Sequence, residues 1–293
     1  MPDSIELLGK EVLLEVFRRM CLVRCFEQGI IPAMEEKLVA CPVYLSTGQE
    51  AVPASLAVAI PEFQIFAQHR CHATYLSFGG PPERLRDELL GLPSGTSGGR
   101  AGSNCVQYRE ENVEMFGHHG LIGENVPLAV GAALGNGRPT VCFFGDGAAE
   151  EDYVFAAMGF AATHGLPVLF VCEDNGLSIL TKVNVRRSWS MAKVAEALGM
   201  LAYEMSDHPW TILHKACELK NCLPAFLNIF TCRARWHVGV GADGPPEWDR
   251  YAMVREELGR VGLQHETAWI EREVKRSMEE LWDIERLRRL SGK

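Results

Sequence analysis

Two short polar stretches, each following an apolar run, carry the groups best suited to binding a metal ion together with a phosphate. Residues 140–144 form a largely apolar run that leads into Gly-Asp-Gly at 145–147, and residues 168–172 lead into Glu-Asp-Asn-Gly-Leu at 173–177. The two glycines permit a tight turn and a close approach of backbone to ligand. A carboxylate, an amide oxygen and a backbone carbonyl form a set of hard oxygen ligands, which Mg²⁺ favours together with phosphate oxygens and water.

These two stretches converge only if the apolar runs are neighbouring parallel strands. A helix is predicted at residues 150–163 between them, and strand, helix and strand with short connections are typical of a parallel βαβ unit. In such sheets ligands bind at the carboxyl ends of the strands, and the free N–H groups of a helix N-terminus attract an anion. The sequence therefore predicts that Asp146 and Asn175 share one cation site, although either stretch alone is more simply an ordinary turn.

The remaining pattern predicts an α/β fold with a parallel sheet and flanking helices. Residues 93–104 are rich in glycine and small polar residues and are predicted to be a loop. Residues 1–246 are predicted to form the α/β domain with its N-terminal helix, and residues 247–293 a helical C-terminal segment. Further strands are predicted at 63–67, 201–205 and 225–230, and helices at 10–29, 51–59, 82–91, 127–134, 189–199 and 209–221.

Bulk composition limits the classes of function that fit this chain. It has 293 residues with a formal net charge of −9 and no basic stripe, which argues against a nucleic-acid partner. No apolar run approaches the length of a membrane span, and the N-terminus lacks the pattern of a secretory signal. The ten cysteines include no C-x-x-C pair. We therefore expect a cytoplasmic protein with reduced thiols and no membrane partner.

Several blocks, in the right order, resemble one enzyme family. Residues 145–179 resemble the thiamine-diphosphate motif, which opens with Gly-Asp-Gly and closes with an asparagine after the next strand. Gly-Gln-Glu-Ala at 48–51, Val-Pro-Leu-Ala at 126–129 and the stretch at 166–173 match further family blocks. Over most of its length the chain resembles the α subunit of 2-oxoacid dehydrogenase E1 components, including pyruvate and acetoin dehydrogenases. The resemblance implies the thiamine-diphosphate-binding fold in its PP-type module.

The resemblance also implies ligands for a metal and for the cofactor. Asp146 and Asn175 carry over as Mg²⁺ ligands, with the backbone carbonyl of Leu177 as the third. Gly147 and Ala148 carry over as donors of backbone N–H groups to the diphosphate of thiamine diphosphate.

Basic side chains near other strand ends match family positions around the diphosphate. Arg70 and Arg233 each follow a predicted strand and carry over as cofactor-binding residues. Arginine suits a diphosphate because its planar fork makes two hydrogen bonds. His237 and His72 match family histidines and are implied to be catalytic, by moving protons or stabilising charge. Residue type alone favours the simpler interpretation of surface arginines and solvated histidines.

A glycine-containing loop at residues 120–123 resembles the family loop that packs against the aminopyrimidine ring of the cofactor. The resemblance implies that Ile122 contacts that ring. His118 and His119 precede the loop, have no firm family counterpart and receive no role. His69 replaces a common tyrosine.

The chain departs from the family around the implied ligands. A glycine is usual where Asp152 stands, and glutamate and asparagine are usual where Ala156 and Gly159 stand. The family's Gly-Gly-Ser-Met-His block ends here in Cys105 rather than histidine. The implied metal ligands are spared, so these changes indicate an unusual substrate or partner, or a weakened enzyme.

The leading hypothesis is an E1α-like subunit that acts on a 2-oxo acid or an acyloin, by decarboxylation or C–C cleavage with acyl or aldehyde transfer. In the family, a glutamate on the pyrimidine side belongs to a separate β subunit or domain, for which this chain has no room. An α2β2 assembly with a β-type subunit is therefore implied. A catalytically weakened scaffold subunit is the alternative. A nicotinamide-dependent oxidoreductase is weaker still, because no Gly-x-Gly-x-x-Gly turn follows the first strand.

Overall fold

The fold is seen in a computed structural model, which describes residue 5 and residues 8–110, 113–118, 120–242 and 246–291. His119, to which the sequence assigns no role, lies outside them. The strands of the described part are β1 Gln64–Phe66, β2 Tyr108–Glu110, β3 Val113–Phe116, β4 Thr140–Gly145, β5 Val168–Asp174, β6 Leu177–Ser178, β7 Thr181–Lys182, β8 Leu201–Ser206 and β9 Ala225–Phe230. The helices are α1 Lys10–Glu35, α2 Ala51–Ala59, α3 His72–Ser77, α4 Pro82–Leu89, α5 Asn125–Asn136, α6 Asp152–His164, α7 Val183–Arg186, α8 Met191–Ala197, α9 Pro209–Leu219, α10 Arg250–Arg260, α11 Gln264–Leu281 and α12 Ile284–Ser291.

Seven of these strands form one sheet in the order β2-β3-β1-β4-β5-β9-β8. Neighbouring strands are parallel except for β2 and β3, which form an antiparallel edge. β6 and β7 pair separately as a short antiparallel hairpin. The predicted class, an α/β fold with a parallel sheet, flanking helices and a helical C-terminal segment, is confirmed, with the antiparallel edge as an addition.

β4 and β5 are the strands that position the two polar turns. Every residue of β5 and the first five residues of β4 are buried, as expected for parallel strands covered by helices on both faces. Phe143 faces a core shared with α1, α2 and α9, whereas Phe144 faces a second core shared with α5, α6 and α8. Gly145 pairs in register with Glu173. The turns that follow β4 and β5 therefore open side by side.

The C-terminal helices pack on the first helix. Val254 of α10 and Ile270 of α11 belong to the same buried cluster as Phe17 of α1. The ring of Phe17 also stacks on Tyr251, with centroids 5.4 Å apart. These helices thus share the core beneath the sheet. The predicted division of the chain after residue 246 stays a prediction.

All ten cysteines are free thiols. Cys21 and Cys25, one helical turn apart in α1, have sulfur atoms 3.9 Å apart. Across the described residues, no helix combines the length and the apolar character that crossing a membrane requires.

Several element boundaries differ from those predicted. α1 continues to Glu35 because the N–H of Glu36 still bonds to the carbonyl of Pro32 at 3.0 Å, so the proline does not end the helix. The helix predicted from residue 150 begins at Asp152, after a 3₁₀ turn at Ala148–Glu150. The sequence prediction lacks β2, β3, β6, β7, α3 and α7.

The glycine-rich loop at 93–104 is ordered by one buried carboxylate. Glu88, at the end of α4, is only 1% exposed. Its two carboxylate oxygens accept backbone N–H groups along the loop, at distances of 2.6–3.2 Å. Gly95 packs so closely on α4 that a Cβ there would lie 2.6 Å from the Glu88 Cα. The donors are the N–H groups of Ser97, Gly99, Ala101 and Gly102.

Glu88→Ala is therefore expected to destabilise the fold by about 2–4 kcal/mol, since it leaves buried N–H groups without an acceptor. Urea denaturation measures the loss, and limited proteolysis should show faster cleavage within residues 93–104. Glu83→Ala, at an exposed position of the same helix, is the matched control and should change little. Equal stability of the two variants would show that the loop is held by other contacts.

Candidate functional site

A cavity of about 270 Å³ lies at the carboxyl ends of β1, β4 and β5. This is the edge at which the sequence predicts the metal and phosphate ligands. Most of the predicted site residues meet on its wall. They are Arg70, Ile122, Asp146, Gly147, Ala148, Asn175, Leu177 and His237.

Asp146 presents a buried carboxylate at the end of β4. It is 1% exposed, and its Oδ2 accepts a hydrogen bond from the guanidinium of Arg186. Burial is the main cause that raises the pKa of this carboxyl to about 6, and the nearby Asp174 raises it further, whereas Arg186 and Arg187 lower it. The carboxylate is therefore ionised above about pH 6 and available to a cation.

Asn175 is held by a turn that its own side chain closes. Its amide nitrogen donates to Oε1 of Gln49 at 3.0 Å, and its Oδ1 accepts the N–H of Leu177 at 3.1 Å. Gly176 takes a φ of +73°, which glycine adopts without strain. An amide oxygen has two lone pairs, so Oδ1 can accept this N–H and still bind a cation.

The residues present fit a magnesium diphosphate. A Cβ on Gly147 would lie 2.7 Å from Oγ of Ser178, so any larger residue would displace Ser178, and the glycine lets the backbone line the cavity. Among the described residues no group of three or more His, Cys, Asp or Glu side chains could hold a metal ion. A site with one carboxylate, an amide and a carbonyl is of the kind in which Mg²⁺ keeps phosphate oxygens and water as its other ligands.

Arg70 and His237 meet across the cavity wall. Arg70 is buried, and its Nη1 donates to the carbonyl of Leu45 at 2.5 Å while its Nη2 lies 3.5 Å from Nδ1 of His237. A guanidinium can only donate, so this contact is a hydrogen bond when Nδ1 of His237 carries no proton. The ring of His237 also packs edge-on to Tyr44, with centroids 5.5 Å apart.

Arg233 is placed behind the cavity rather than on its wall. It is buried, and its Nη2 donates to the carbonyl of Ile179 at 3.1 Å. Ile179 lines the cavity and has a φ of +54°, a left-handed conformation that is a genuine outlier for a β-branched residue. Arg233 thus stabilises a strained backbone segment of the wall, and such strain is typical of ligand sites.

His72, predicted to be catalytic, does not reach the cavity. Its ring is fully buried, with Nδ1 3.2 Å from a carboxylate oxygen of Glu27 and Nε2 2.8 Å from Oγ of Ser103. The same Glu27 accepts the N–H of Ser46 and the hydroxyl of Thr47, both at 2.6 Å. Both ring nitrogens are engaged in a buried network, and the catalytic role of His72 stays a prediction.

Three residues at the site escape the sequence prediction. His69 lines the cavity, and burial together with the neighbouring Arg70 lowers its pKa well below the usual value. His118 also lines the cavity. Glu173, the last but one residue of β5, is buried, and Gln68 donates to its carboxylate. The family blocks assign no role to these three residues. Only their position at the ends of strands could have indicated that they belong to the site.

Burial raises the pKa of Glu173 to about 7, an effect that the hydrogen bond from Gln68 and the charge of Arg70 oppose. Between pH 4.5 and about 7 the folded protein therefore holds a proton that the unfolded chain has released, so stability falls as pH rises through this window. Glu173→Gln mimics the protonated acid. We expect a gain over the wild type of less than about 1 kcal/mol at pH 5 and of about 3 kcal/mol at pH 8.

Urea denaturation of both proteins at pH 5 and pH 8 measures this difference. Glu62→Gln, which neutralises an exposed carboxylate, serves as the control and should show no dependence on pH. The assignment of a protonated Glu173 would be wrong if the two stability differences were the same at both pH values.

The fold and the cavity together define an α/β domain with a candidate ligand site at the carboxyl edge of a parallel sheet. The family model described as Dehydrogenase E1 component matches residues 18–205. The chain belongs to that family. The resemblance inferred from the sequence blocks is thereby confirmed.

Curated relatives agree with this assignment. Pyruvate dehydrogenase E1 component subunit alpha of Rickettsia bellii is 31% identical over 245 residues, which cover 78% of this chain and 73% of the relative. The subunit of the same name from Zymomonas mobilis is 35% identical over 59% of this chain and 51% of its own length. The corresponding values for subunit alpha-1, mitochondrial, of Arabidopsis thaliana are 34%, 59% and 45%. The chain thus spans about half the length of two of these relatives.

Among solved structures, transketolase from Leishmania mexicana superimposes with a TM-score of 0.58 at 16% identity, covering 95% of this chain and 47% of that one. At this identity the likeness shows the fold alone. It supports the α/β architecture described above for nearly the whole chain.

Proposed function

We propose that this chain is the α-type subunit of a thiamine-diphosphate-dependent enzyme that acts on a 2-oxo acid or an acyloin and binds the diphosphate end of the cofactor through Mg²⁺. One observation carries the proposal: Asp146, Asn175 and Leu177 meet on one cavity at the ends of adjacent strands. Membership of the E1 family supports it. The proposed reaction is decarboxylation or C–C cleavage followed by acyl or aldehyde transfer.

In this proposal different residues of the cavity wall bind the metal ion and the diphosphate. Asp146, Asn175 and the carbonyl of Leu177 hold Mg²⁺, and the N–H groups of Gly147 and Ala148 receive the diphosphate. Bound thiamine diphosphate supplies a centre that stabilises a carbanion, while the protein supplies orientation and electrostatics.

The basic side chains and the ring loop complete this cofactor site. Arg70 adds a buried guanidinium to the phosphate side, where its fork suits an anion. Arg233 acts through Ile179, whose carbonyl it holds. Ile122 lines the cavity from the loop proposed to face the aminopyrimidine ring.

His237 is the residue best placed to handle a proton. When Nδ1 accepts the contact from Arg70, Nε2 carries the proton and can donate it to a substrate oxygen.

A β-type partner is part of the proposal because, among the described residues, none on the cavity wall supplies the glutamate that the family places on the pyrimidine side. Large apolar side chains flank the cavity-lining residues and are exposed, which suits a surface that a partner covers. We further propose an α2β2 assembly located in the cytoplasm. The exposed side chains are Leu121, Ile179, Leu180, Trp236 and Val238.

The alternative of a scaffold without activity rests on Cys105, Asp152, Ala156 and Gly159. None of them lies on the cavity wall, and Asp152 and Ala156 are exposed on α6. Asp152 and Ala156 therefore change the surface of a helix, and all four departures leave the proposed ligands in place. This placement favours a changed partner surface over a lost cofactor site.

Turnover by the purified chain together with its β-type partner tests the proposal. We expect release of CO₂ from a panel of 2-oxo acids, or cleavage of an acyloin, that requires both thiamine diphosphate and Mg²⁺. His237→Ala should lower kcat by about 100-fold or more, the scale of a general acid–base contribution. Cofactor binding without turnover on any of these compounds would favour the scaffold instead.

A further inference from the structure

The segment that follows Asn175 folds back over the proposed metal site. It runs through the hairpin of β6 and β7 into α7, a single turn of helix at Val183–Arg186 that has no buried residue. Such a segment gains little from apolar packing, so its position depends on polar contacts. Two consecutive arginines at its end supply them.

Arg186 and Arg187 both form hydrogen bonds to the turn after β4. Nη2 of Arg186 contacts Oδ2 of Asp146, and Nη1 lies 2.8 Å from Oε1 of Glu150. Arg187 donates to the backbone carbonyl of Asp146 at 2.9 Å and lies 3.6 Å from Oδ2 of Asp174. Arg187 is held in turn by the ring of Trp189, 5.0 Å from its guanidinium carbon.

Arg186 engages the Oδ2 side of the Asp146 carboxylate. Its Nη1 lies 3.4 Å from the position that a Cβ on Gly147 would take. The guanidinium therefore lies close to the glycine turn, with one nitrogen on each acid. Its rigid fork fixes the two carboxylates relative to each other, which the flexible ammonium of a lysine does less well.

The net charge of the side chains at this turn is compatible with a bound metal ion. Two guanidinium groups face three carboxylates at this turn, those of Asp146, Glu150 and Asp174. The cluster with all groups ionised thus keeps one net negative charge, which a divalent cation can use. Arg186 accordingly orients a ligand and does not replace the metal.

Resting on the proposed function, we infer that Arg186 is a positioning residue for the metal: it holds Asp146 so that one carboxylate oxygen is presented to Mg²⁺, and it ties the segment at 177–187 to the bound cofactor. Side chains that orient a metal ligand typically contribute 10- to 100-fold to metal affinity, as an order-of-magnitude range. No sequence block assigns a role to this residue, which lies 40 positions from Asp146.

Calorimetric titration with thiamine diphosphate at a series of Mg²⁺ concentrations tests the inference, using the chain with its β-type partner. Arg186→Gln should raise the Mg²⁺ concentration needed for half-saturation by about 10- to 100-fold, and Arg186→Lys by less. Arg138→Gln is the matched control, since Arg138 also forms an ion pair, with Glu114, but precedes β4 at its opposite end. Melting temperatures establish that each variant is folded.

An unchanged Mg²⁺ requirement in both Arg186 variants would overturn the inference and leave the proposed function standing. A lowered requirement would also overturn it, by showing that the guanidinium competes with the metal. Failure of the wild-type complex to bind thiamine diphosphate at any Mg²⁺ concentration would overturn the proposed function, and the inference with it.

Discussion

Replacing Asp146 with asparagine is expected to weaken binding of thiamine diphosphate with Mg²⁺ by about 100-fold or more, since loss of a direct ligand costs at least as much as loss of a group that orients one. The substitution keeps the size of the side chain but removes the only carboxylate among the proposed metal ligands. It also removes one of the negative charges that balance Arg186 and Arg187, both of which contact residue 146. Calorimetric titration of the variant and the wild type measures the change.

The matched control is Asp152→Asn. Asp152 is an exposed carboxylate at the start of α6, close in sequence but off the cavity wall. It should bind the cofactor as the wild type does. Equal affinities of the Asp146 and Asp152 variants would contradict the assignment of Asp146 as a metal ligand.

Glu27→Ala is expected to lower the free energy of unfolding by about 3 kcal/mol or more, which would be the largest stability effect of a single side chain in this account. The carboxylate is buried in α1 and accepts hydrogen bonds from the backbone of Ser46 and the hydroxyl of Thr47, while its Oε1 lies 3.2 Å from His72 Nδ1. Its removal leaves these buried groups without a partner. Urea denaturation provides the measurement.

Glu15→Ala is the control for Glu27. Glu15 lies on the same helix but forms a surface pair with Arg19, one turn away, and such pairs contribute about 0.3–0.5 kcal/mol. Glu27 accepts hydrogen bonds from Ser46 and Thr47, just before Gln49 in the chain. The variant should therefore also disturb Asn175, which donates to the Gln49 side chain. A loss no greater than that of the control would mean that water or neighbouring groups replace the carboxylate.

The sequence predicts the centre of the sheet well because its signals there are strong. Strands β4 and β5 are continuous apolar runs, which parallel strands covered on both faces require. The edge is different. Tyr108–Glu110 and Val113–Phe116 are short and partly charged, and they become strands only by pairing with each other and with β1. Such pairing depends on tertiary contacts that local propensity does not contain.

The site shows the same contrast between strong local sequence signals and positions that depend on tertiary contacts. The convergence of Asp146 and Asn175 could be predicted because strand ends of a parallel sheet share one edge, whereas Leu177 is indicated only by the family resemblance. The burial of His72 away from the cavity could not be predicted, since all six residues of the short helix α3 are buried and no periodicity tells which of them faces the cavity. The arginine at 186 lies on a segment whose path over the site is set by tertiary structure.

The central claim is that the stretch from Gly145 to Leu177 binds the diphosphate end of the cofactor through a metal ion. Its most direct test is calorimetric titration of the chain and its β-type partner with thiamine diphosphate in Mg²⁺, with thiamine diphosphate in EDTA, and with thiamine in Mg²⁺. We predict saturable binding in the first titration and none in the other two. Equal binding of thiamine and thiamine diphosphate, or binding that survives EDTA, would contradict the claim.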